Sequence, residues 1–205
     1  MSHHIGSETN YSIPQGPFAA IYADPPWQFR SWSQKGKGQG SDRSPDKHYS
    51  VLPLADIKAL PVQQIAAENA VLFLWATYPM LQHALETMAA WGFTYKTVAF
   101  TWAKQTKHKR WHVGLGYWTR ANPEICLLGT RGKPQRLNRD VRNLIISQVR
   151  EHSRKPDEAY GLIERLVTGP YIELFSRAER PGWTHWGDQT GKFPTEGANN
   201  ATLGI

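Results

Sequence analysis

An aspartate, two prolines and a tryptophan, Asp24-Pro25-Pro26-Trp27, directly follow the apolar run Phe18-Ala19-Ala20-Ile21-Tyr22-Ala23. The run reads as a buried strand, so the four residues form a rigid, acceptor-rich turn where that strand ends. Such a turn suits chemistry on an amino group. The exocyclic amine of a nucleobase is a poor nucleophile because its lone pair is delocalised into the ring. A carboxylate and a backbone carbonyl that accept its two hydrogens favour tetrahedral geometry at nitrogen and release the lone pair for attack on carbon. Proline fixes φ and has no N–H to compete for those acceptors, and Trp27 offers a flat apolar surface on which a base can stack. Placement agrees with this, since sites in open α/β sheets form at the carboxyl ends of strands. Taken alone, the tetrapeptide is equally an ordinary proline turn with a packing tryptophan.

A second concentration of chemistry lies in residues 104–155, which hold 13 of the 24 Lys and Arg residues against Glu124, Asp140 and Glu151, a net charge of +10. Lys104, Lys107, Lys109 and Arg110 precede Trp111, and Tyr117, Trp118, Asn122, Gln135 and Asn138 are interleaved with further arginines. Cations alternating with stacking and hydrogen-bonding groups predict a phosphate-tracking surface rather than a merely solvated face. His108 and His112 have metal-ligand spacing only on a helix, and no third ligand accompanies them, so no metal is expected. The single cysteine, Cys126, sits in the apolar run Ile125-Cys126-Leu127-Leu128 and reads as a buried, inert thiol. It excludes an internal disulfide and a cysteine-based metal cluster, which fits a reducing intracellular compartment.

The elements that must position these groups alternate between strand and helix patterns, the signature of an α/β domain with a mostly parallel sheet and helices on both faces. A chain of 205 residues, 40% hydrophobic and 20% charged, is long enough for one such domain. No apolar stretch reaches membrane-span length and the N-terminal residues lack a signal-peptide core, so a soluble, cytoplasmic protein without membrane contact is expected. Nine tryptophans are many for this length, and some are expected to face ligand or partner. Residues 28–50, with Gly36, Gly38 and Gly40 among lysines and serines, read as a mobile lid. No strand leads into that glycine pattern and no Lys-Ser/Thr pair follows, which argues against a phosphate loop.

A short helix is predicted over Leu54–Leu60, cut by Pro61, and a central strand over Ala70–Ala76. Met80–Trp91 reads as a helix with Leu81, Leu85 and Met88 on one face and Gly92 placed to end it. Strands are expected over 93–103 and Glu124–Leu128, with Leu144-Ile145-Ile146 short and buried. Pro156-Asp157-Glu158 opens a helix carrying Tyr160, Ile163, Leu166 and Val167. Tyr171–Phe175 is read as the last clear strand. The expected organisation is a tail over 1–17, one domain over 18–189 and a tail over 190–205.

With these pieces in order, the chain resembles the MT-A70 family of S-adenosylmethionine-dependent adenine N6-methyltransferases over nearly the whole span from Phe18 to Gln189. The resemblance is carried by Asp24-Pro25-Pro26-Trp27, His48-Tyr49-Ser50, Leu72-Phe73-Leu74-Trp75, Trp91-Gly92-Phe93 and Pro123 to Gly129. It continues in Ser153 to Glu158, Tyr160 to Arg165 and Ile172 to Arg177. It implies a Rossmann-like methyltransferase in which the catalytic strand precedes the main cofactor strand, which explains why no N-terminal Gly-x-Gly-x-x-Gly is present. By position, Asp24 and the Pro25 carbonyl would hold the target amine, with Asp24 also bordering the cofactor. Pro26 and Trp27 would shape the base pocket and Tyr49 would close over the base. Lys155 would lie near the cofactor carboxylate, Glu173 would bind the ribose hydroxyls, and Phe175, Arg177, Asp188 and Gln189 would line the nucleoside end. Asn122 and Glu124 would contact substrate, and Lys107, Lys109 and Arg110 would contact nucleic acid.

The implied substrate is adenine in DNA. The same reaction on RNA and a catalytically silent nucleic-acid-binding subunit are the alternatives, with a homodimer or a paralogous subunit as the expected assembly. Departures from the family pattern are Glu179 and Arg180, where polar nucleoside contacts are common, and Asp188-Gln189 in place of an Asn-Gln pair. The segment from Ser7 to Pro17 supplies no evident acidic cofactor contact.

Overall fold

A computed structural model describes residues 12–27, 52–116, 118–150 and 154–187. The expectations for residues 28–50, including Tyr49, and for Asp188, Gln189 and the terminal tails lie outside the described residues.

One seven-stranded sheet organises the chain, in the order β5-β3-β4-β2-β1-β6-β7. Its strands are β1 (Phe18–Ala23), β2 (Ala66–Ala76), β3 (Thr94–Gln105), β4 (Glu124–Arg131), β5 (Leu144–Gln148), β6 (Tyr171–Leu174) and β7 (Trp183–Trp186). β1 pairs in parallel with β2 and β6, β6 with β7, and β3 with β5. Only β4 runs antiparallel, against both β2 and β3. The fold is therefore the Rossmann-like α/β class, with β4 reversing an otherwise parallel sheet.

Alternation along the strands divides the core in two, interrupted in β3 where a register shift puts Ala99 and Phe100 on the same side. Leu72, Leu74, Ile125, Leu127 and Ile172 face a cluster containing Ile57, Leu60, Val62, Ile65, Ala84 and Met88. These come from α1 (Leu54–Ala59), α2 (Val62–Ile65) and α3 (Leu81–Ala90) and the turn between the first two. Val71, Phe73, Trp75, Cys126 and Trp102 face the other side, against Ala159 and Ile163 of α4 (Glu158–Leu166) and Trp183. Apolar alternation on strands buried on both faces is what makes such a sheet possible.

Several expectations change in detail. Leu81 and Leu85 are 37% and 36% exposed, and the buried face of α3 is Ala84, Thr87 and Met88 instead. Small residues let α3 lie close on the sheet, and Gly92 ends the helix at φ 80°. β5 is an edge strand, so Ile145 is buried while Leu144 and Ile146 are 54% and 49% exposed. Pro156 and Asp157 precede α4 rather than fill its first turn, and the Asp157 carboxylate takes Arg150 Nη1 at 2.6 Å in place of a helix cap. The last strand is β7, after β6. Of the tryptophans, Trp75, Trp91, Trp102 and Trp183 are core, whereas Trp111 and Trp118 are 60% and 95% exposed. No helix among the described residues is long and apolar enough to cross a membrane.

Candidate active site

The chain leaves β1 toward β2 on one side and later enters β6 on the other, so β1 is the topological switch point of the sheet. A crevice opens there beyond the strand ends. Ala23 is level with Leu74 and Leu174, which sets Asp24 beside Trp75 and Phe175. Because β4 is antiparallel, its first residue, Glu124, reaches the same edge as the last residues of β3; Glu124 is level with Trp102.

The Asp24-Pro25-Pro26-Trp27 turn is held from both ends. The Trp27 backbone N–H folds back to the Pro25 carbonyl at 2.8 Å, and the Trp27 indole N–H donates to the Trp75 carbonyl at 3.0 Å. Pro25 is buried, with its carbonyl keeping a second lone pair. Below the turn, the Trp75 indole N–H donates to the Tyr22 hydroxyl at 2.6 Å, which locks neighbouring side chains of β1 and β2.

Five charged side chains form an alternating chain across this edge. Lys104 Nζ bonds Glu124 Oε1, and Glu124 Oε2 lies 3.2 Å from Lys155 Nζ. Lys155 Nζ donates to Asp24 Oδ2 at 2.8 Å, and Arg177 Nη2 meets the same oxygen at 3.3 Å. The side chains are between 11% and 19% exposed. Burial alone would raise the Glu124 pKa, but the Lys155 and Lys104 charges overcome it and lower the value to about 2. Burial would likewise favour neutral Lys155, yet Asp24 and Glu124 raise its pKa and keep it a cation. Both contacts on Asp24 fall on Oδ2; among the described residues none donates to Oδ1. The carboxylate is thus fixed in place with an acceptor to spare.

Asp24, Lys155, Glu173, Phe175 and Arg177 line one open pocket with Arg154, Asp157, Tyr160 and Ala178. Phe175 turns the wall at φ 64°, a left-handed conformation that costs a non-glycine residue energy and is found where a site demands it. Glu173, predicted as a carboxylate awaiting a ligand, has protein partners: Ser176 Oγ donates to its Oε2 at 2.9 Å and His185 Nδ1 lies 3.3 Å away. Its burial is therefore already compensated, and its place on the pocket wall is what argues for a ligand. Burial and the Glu173 charge push the Tyr160 hydroxyl pKa up, while Glu173 raises that of His185 against the opposing effect of burial.

Asn122 and Glu124 do not stand alone as free contacts. The Asn122 amide oxygen accepts from the Lys104 backbone N–H at 2.9 Å, and its amide donates to the carbonyls of Lys104 at 2.9 Å and His112 at 2.6 Å. Both amide hydrogens are used, so Asn122 pins the 106–123 loop to β3. Lys104, expected among phosphate-contacting cations, belongs instead to the buried charge chain. Lys107, Lys109 and Arg110 are exposed in the turn closed by Thr106 and Arg110. Arg180, a departure at the sequence level, pairs with Glu164 of α4 at 3.2 Å and lies over the ring of Tyr160, which lines the pocket.

The basic segment is not one surface. Its first half rises at the Asp24 edge, but β4 carries the chain across the sheet, so Arg131 leaves from the opposite edge and bonds the Gln63 carbonyl at 2.7 Å. No group of His, Cys, Asp and Glu among the described residues could hold a metal ion.

The crevice lies at the switch point of a Rossmann-like sheet, with Asp24, Lys155 and Glu173 on its wall. The chain belongs to the MT-A70 family, whose model matches residues 18–189. It is 32% identical over 203 residues to the type II methyltransferase M.MunI of a Mycoplasma species, covering 90% of this chain and 84% of that protein. It is 32% identical over 180 residues to the human N(6)-adenosine-methyltransferase catalytic subunit METTL3, covering 85% of this chain and 28% of that protein. The Medicago truncatula MT-A70-like protein is 33% identical over 181 residues, with 26% of its length covered. The chain matches one methyltransferase along most of its length and about a quarter of the larger ones.

Proposed function

We propose that the protein transfers a methyl group from S-adenosylmethionine to the N6 amine of adenine in DNA. The observation that carries this reading is Asp24, held by Lys155 and Arg177 at the switch point, with the Pro25 carbonyl beside it. The residues of the pocket suit the methyl donor: Lys155 and Arg177 for its carboxylate and nucleoside end, acids for its ammonium and ribose hydroxyls, and the Phe175 and Tyr160 rings for its adenine. When bound, S-adenosylmethionine supplies an electrophilic methyl carbon on a positively charged sulfur.

The chain's own work is positional and electrostatic. Asp24 Oδ1 accepts one N6 hydrogen and the Pro25 carbonyl the other, which draws the amine lone pair out of conjugation with the ring. As the new N–C bond forms and the S–C bond breaks, nitrogen becomes positive, and the Asp24 charge stabilises it without reorganisation. Asp24 Oδ1, already hydrogen-bonded to the amine, then takes one proton from it and passes that proton to water, which leaves neutral, methylated adenine. Matched duplex DNA, single-stranded DNA and RNA incubated with methyl-labelled S-adenosylmethionine, followed by nucleoside analysis, test this. N6-methyladenine in DNA is the expected product; label in RNA alone overturns the substrate, and label on cytosine overturns the chemistry. The match to M.MunI over most of both chains favours DNA.

A further inference from the structure

Residues 106–123 join the antiparallel strands β3 and β4, and both ends of the segment lie at the Asp24 edge. The segment contains Lys107, Lys109, Arg110 and Arg120 and no acidic residue. It folds into two projections. In the first, the Thr106 N–H donates to the Arg110 carbonyl at 2.8 Å and Gln105 bridges Trp111, leaving Lys107, Lys109 and Arg110 on a basic tip. In the second, the Gly114 N–H donates to the Ala121 carbonyl at 2.8 Å, and the chain doubles back so tightly that a Cβ on Gly116 would lie 1.6 Å from the Thr119 carbonyl oxygen. Trp118 sits on this second tip. The Asn122 amide ties both projections to Lys104, whose ammonium begins the charge chain that ends on Asp24.

The 106–123 segment carries apolar surface that the described residues do not cover. Trp118 is 95% exposed, Leu115 78%, Val113 71% and Trp111 60%, in a protein whose other large aromatics mostly pack inside. Exposed, clustered apolar side chains mark a contact surface. The segment that carries this surface has four cations and no acid, so it is complementary to a polyanion, and a nucleic-acid base is the apolar, flat group that a polyanion offers.

We propose that the second projection is a wedge that enters a DNA duplex and that Trp118 takes the stacking position vacated when the target adenine turns out toward Asp24. The proposal rests on the reaction proposed above. An adenine inside a duplex cannot reach a pocket at a strand edge without leaving the stack, which costs a few kcal/mol for a paired base and little for a single strand. A flat ring that fills the gap recovers part of that cost. The basic tip, a few residues away on the same segment, holds the flanking phosphates while the exchange takes place.

The test uses the full-length chain and an adenine that the wild type methylates, offered in a matched duplex, in a duplex with an abasic residue opposite it, and in single strand. Trp118→Ala should lower kcat/KM on the matched duplex by roughly 10- to 100-fold, the range expected for one lost base–aromatic stack. It should change the single-strand value by less than about threefold, and the abasic partner should restore most of the duplex loss, because an unpaired adenine needs less help to leave the stack. Since Trp118 is 95% exposed, the melting temperature should stay put. Equal losses on all three substrates, or none on the duplex, overturn the wedge. So does conversion of a wild-type dimer to a monomer by this substitution in light scattering, which would assign the surface to a second copy. A wild type that methylates none of the three sinks the reaction itself, separately from the wedge.

Discussion

Lys155 Nζ lies 2.8 Å from Asp24 Oδ2 although the two residues are 131 positions apart in the chain. The contact joins the turn after β1 to the turn before α4, and it anchors one oxygen of the carboxylate. Asp24 is therefore positioned by charge as well as by the two prolines.

Asp24→Asn keeps the shape and the acceptor oxygen but removes the charge, so turnover should fall by roughly 10²-fold or more, as when one preorganised transition-state contact is lost. Circular dichroism and the affinity for DNA should be nearly unchanged. Normal turnover would remove Asp24 from the mechanism.

Lys104 is linked to Asp24 through Glu124 and Lys155, so we predict that it acts as a positioning residue. Without it, Glu124 has one cation rather than two and draws Lys155 away from Asp24. Lys104→Met should lower kcat several-fold while leaving KM for DNA close to normal. Lys104→Arg should restore most of the rate. A KM defect with unchanged kcat would return Lys104 to nucleic-acid binding.

Glu124 also makes a prediction about acid stability. Its folded-state pKa is depressed to about 2, so its contribution is complete above the ordinary carboxylate range and disappears as pH falls toward that value. A shift of this size corresponds to on the order of 3 kcal/mol. Glu124→Gln should be clearly less stable than the wild type in urea at pH 6, with the gap closing below about pH 3. A gap independent of pH would mean that packing, not charge, carries the effect.

The basic tip can be tested by salt. Lys107, Lys109 and Arg110 changed together to Ala should reduce the slope of log K for DNA against log salt by roughly two to three, because each phosphate contact contributes about 0.7 to 0.9. S-adenosylmethionine affinity measured by calorimetry should not respond. An unchanged slope would make these three side chains plain solvated cations.

Much of this architecture is legible in the sequence because it is local. The apolar run ending at Asp24, the continuous run of β2 and the Gly92 stop each depend on neighbours in the chain. What escaped depends on residues far apart. The Lys104–Glu124 contact spans 20 positions, and nothing in the sequence distinguishes Lys104 from the exposed Lys107 three residues on. β7 was missed because four residues with Thr184 and His185 at their centre carry little strand signal, and the backbone of β6 supplies what they lack. Leu81 and Leu85 misled for a different reason: helical spacing identifies a face, but small Ala84 and Thr87 decide how closely that face can pack.

The reversal of β4 has a practical corollary. A crossover between parallel strands must span the sheet, so its length is fixed by the distance it covers. The 106–123 segment departs and returns at one end, anchored by Asn122, and can be lengthened, trimmed or exchanged with no change in strand register. It is a detachable cassette, and grafting it between relatives whose β3 and β4 match should carry over whatever preference it imparts for the DNA around the methylated base.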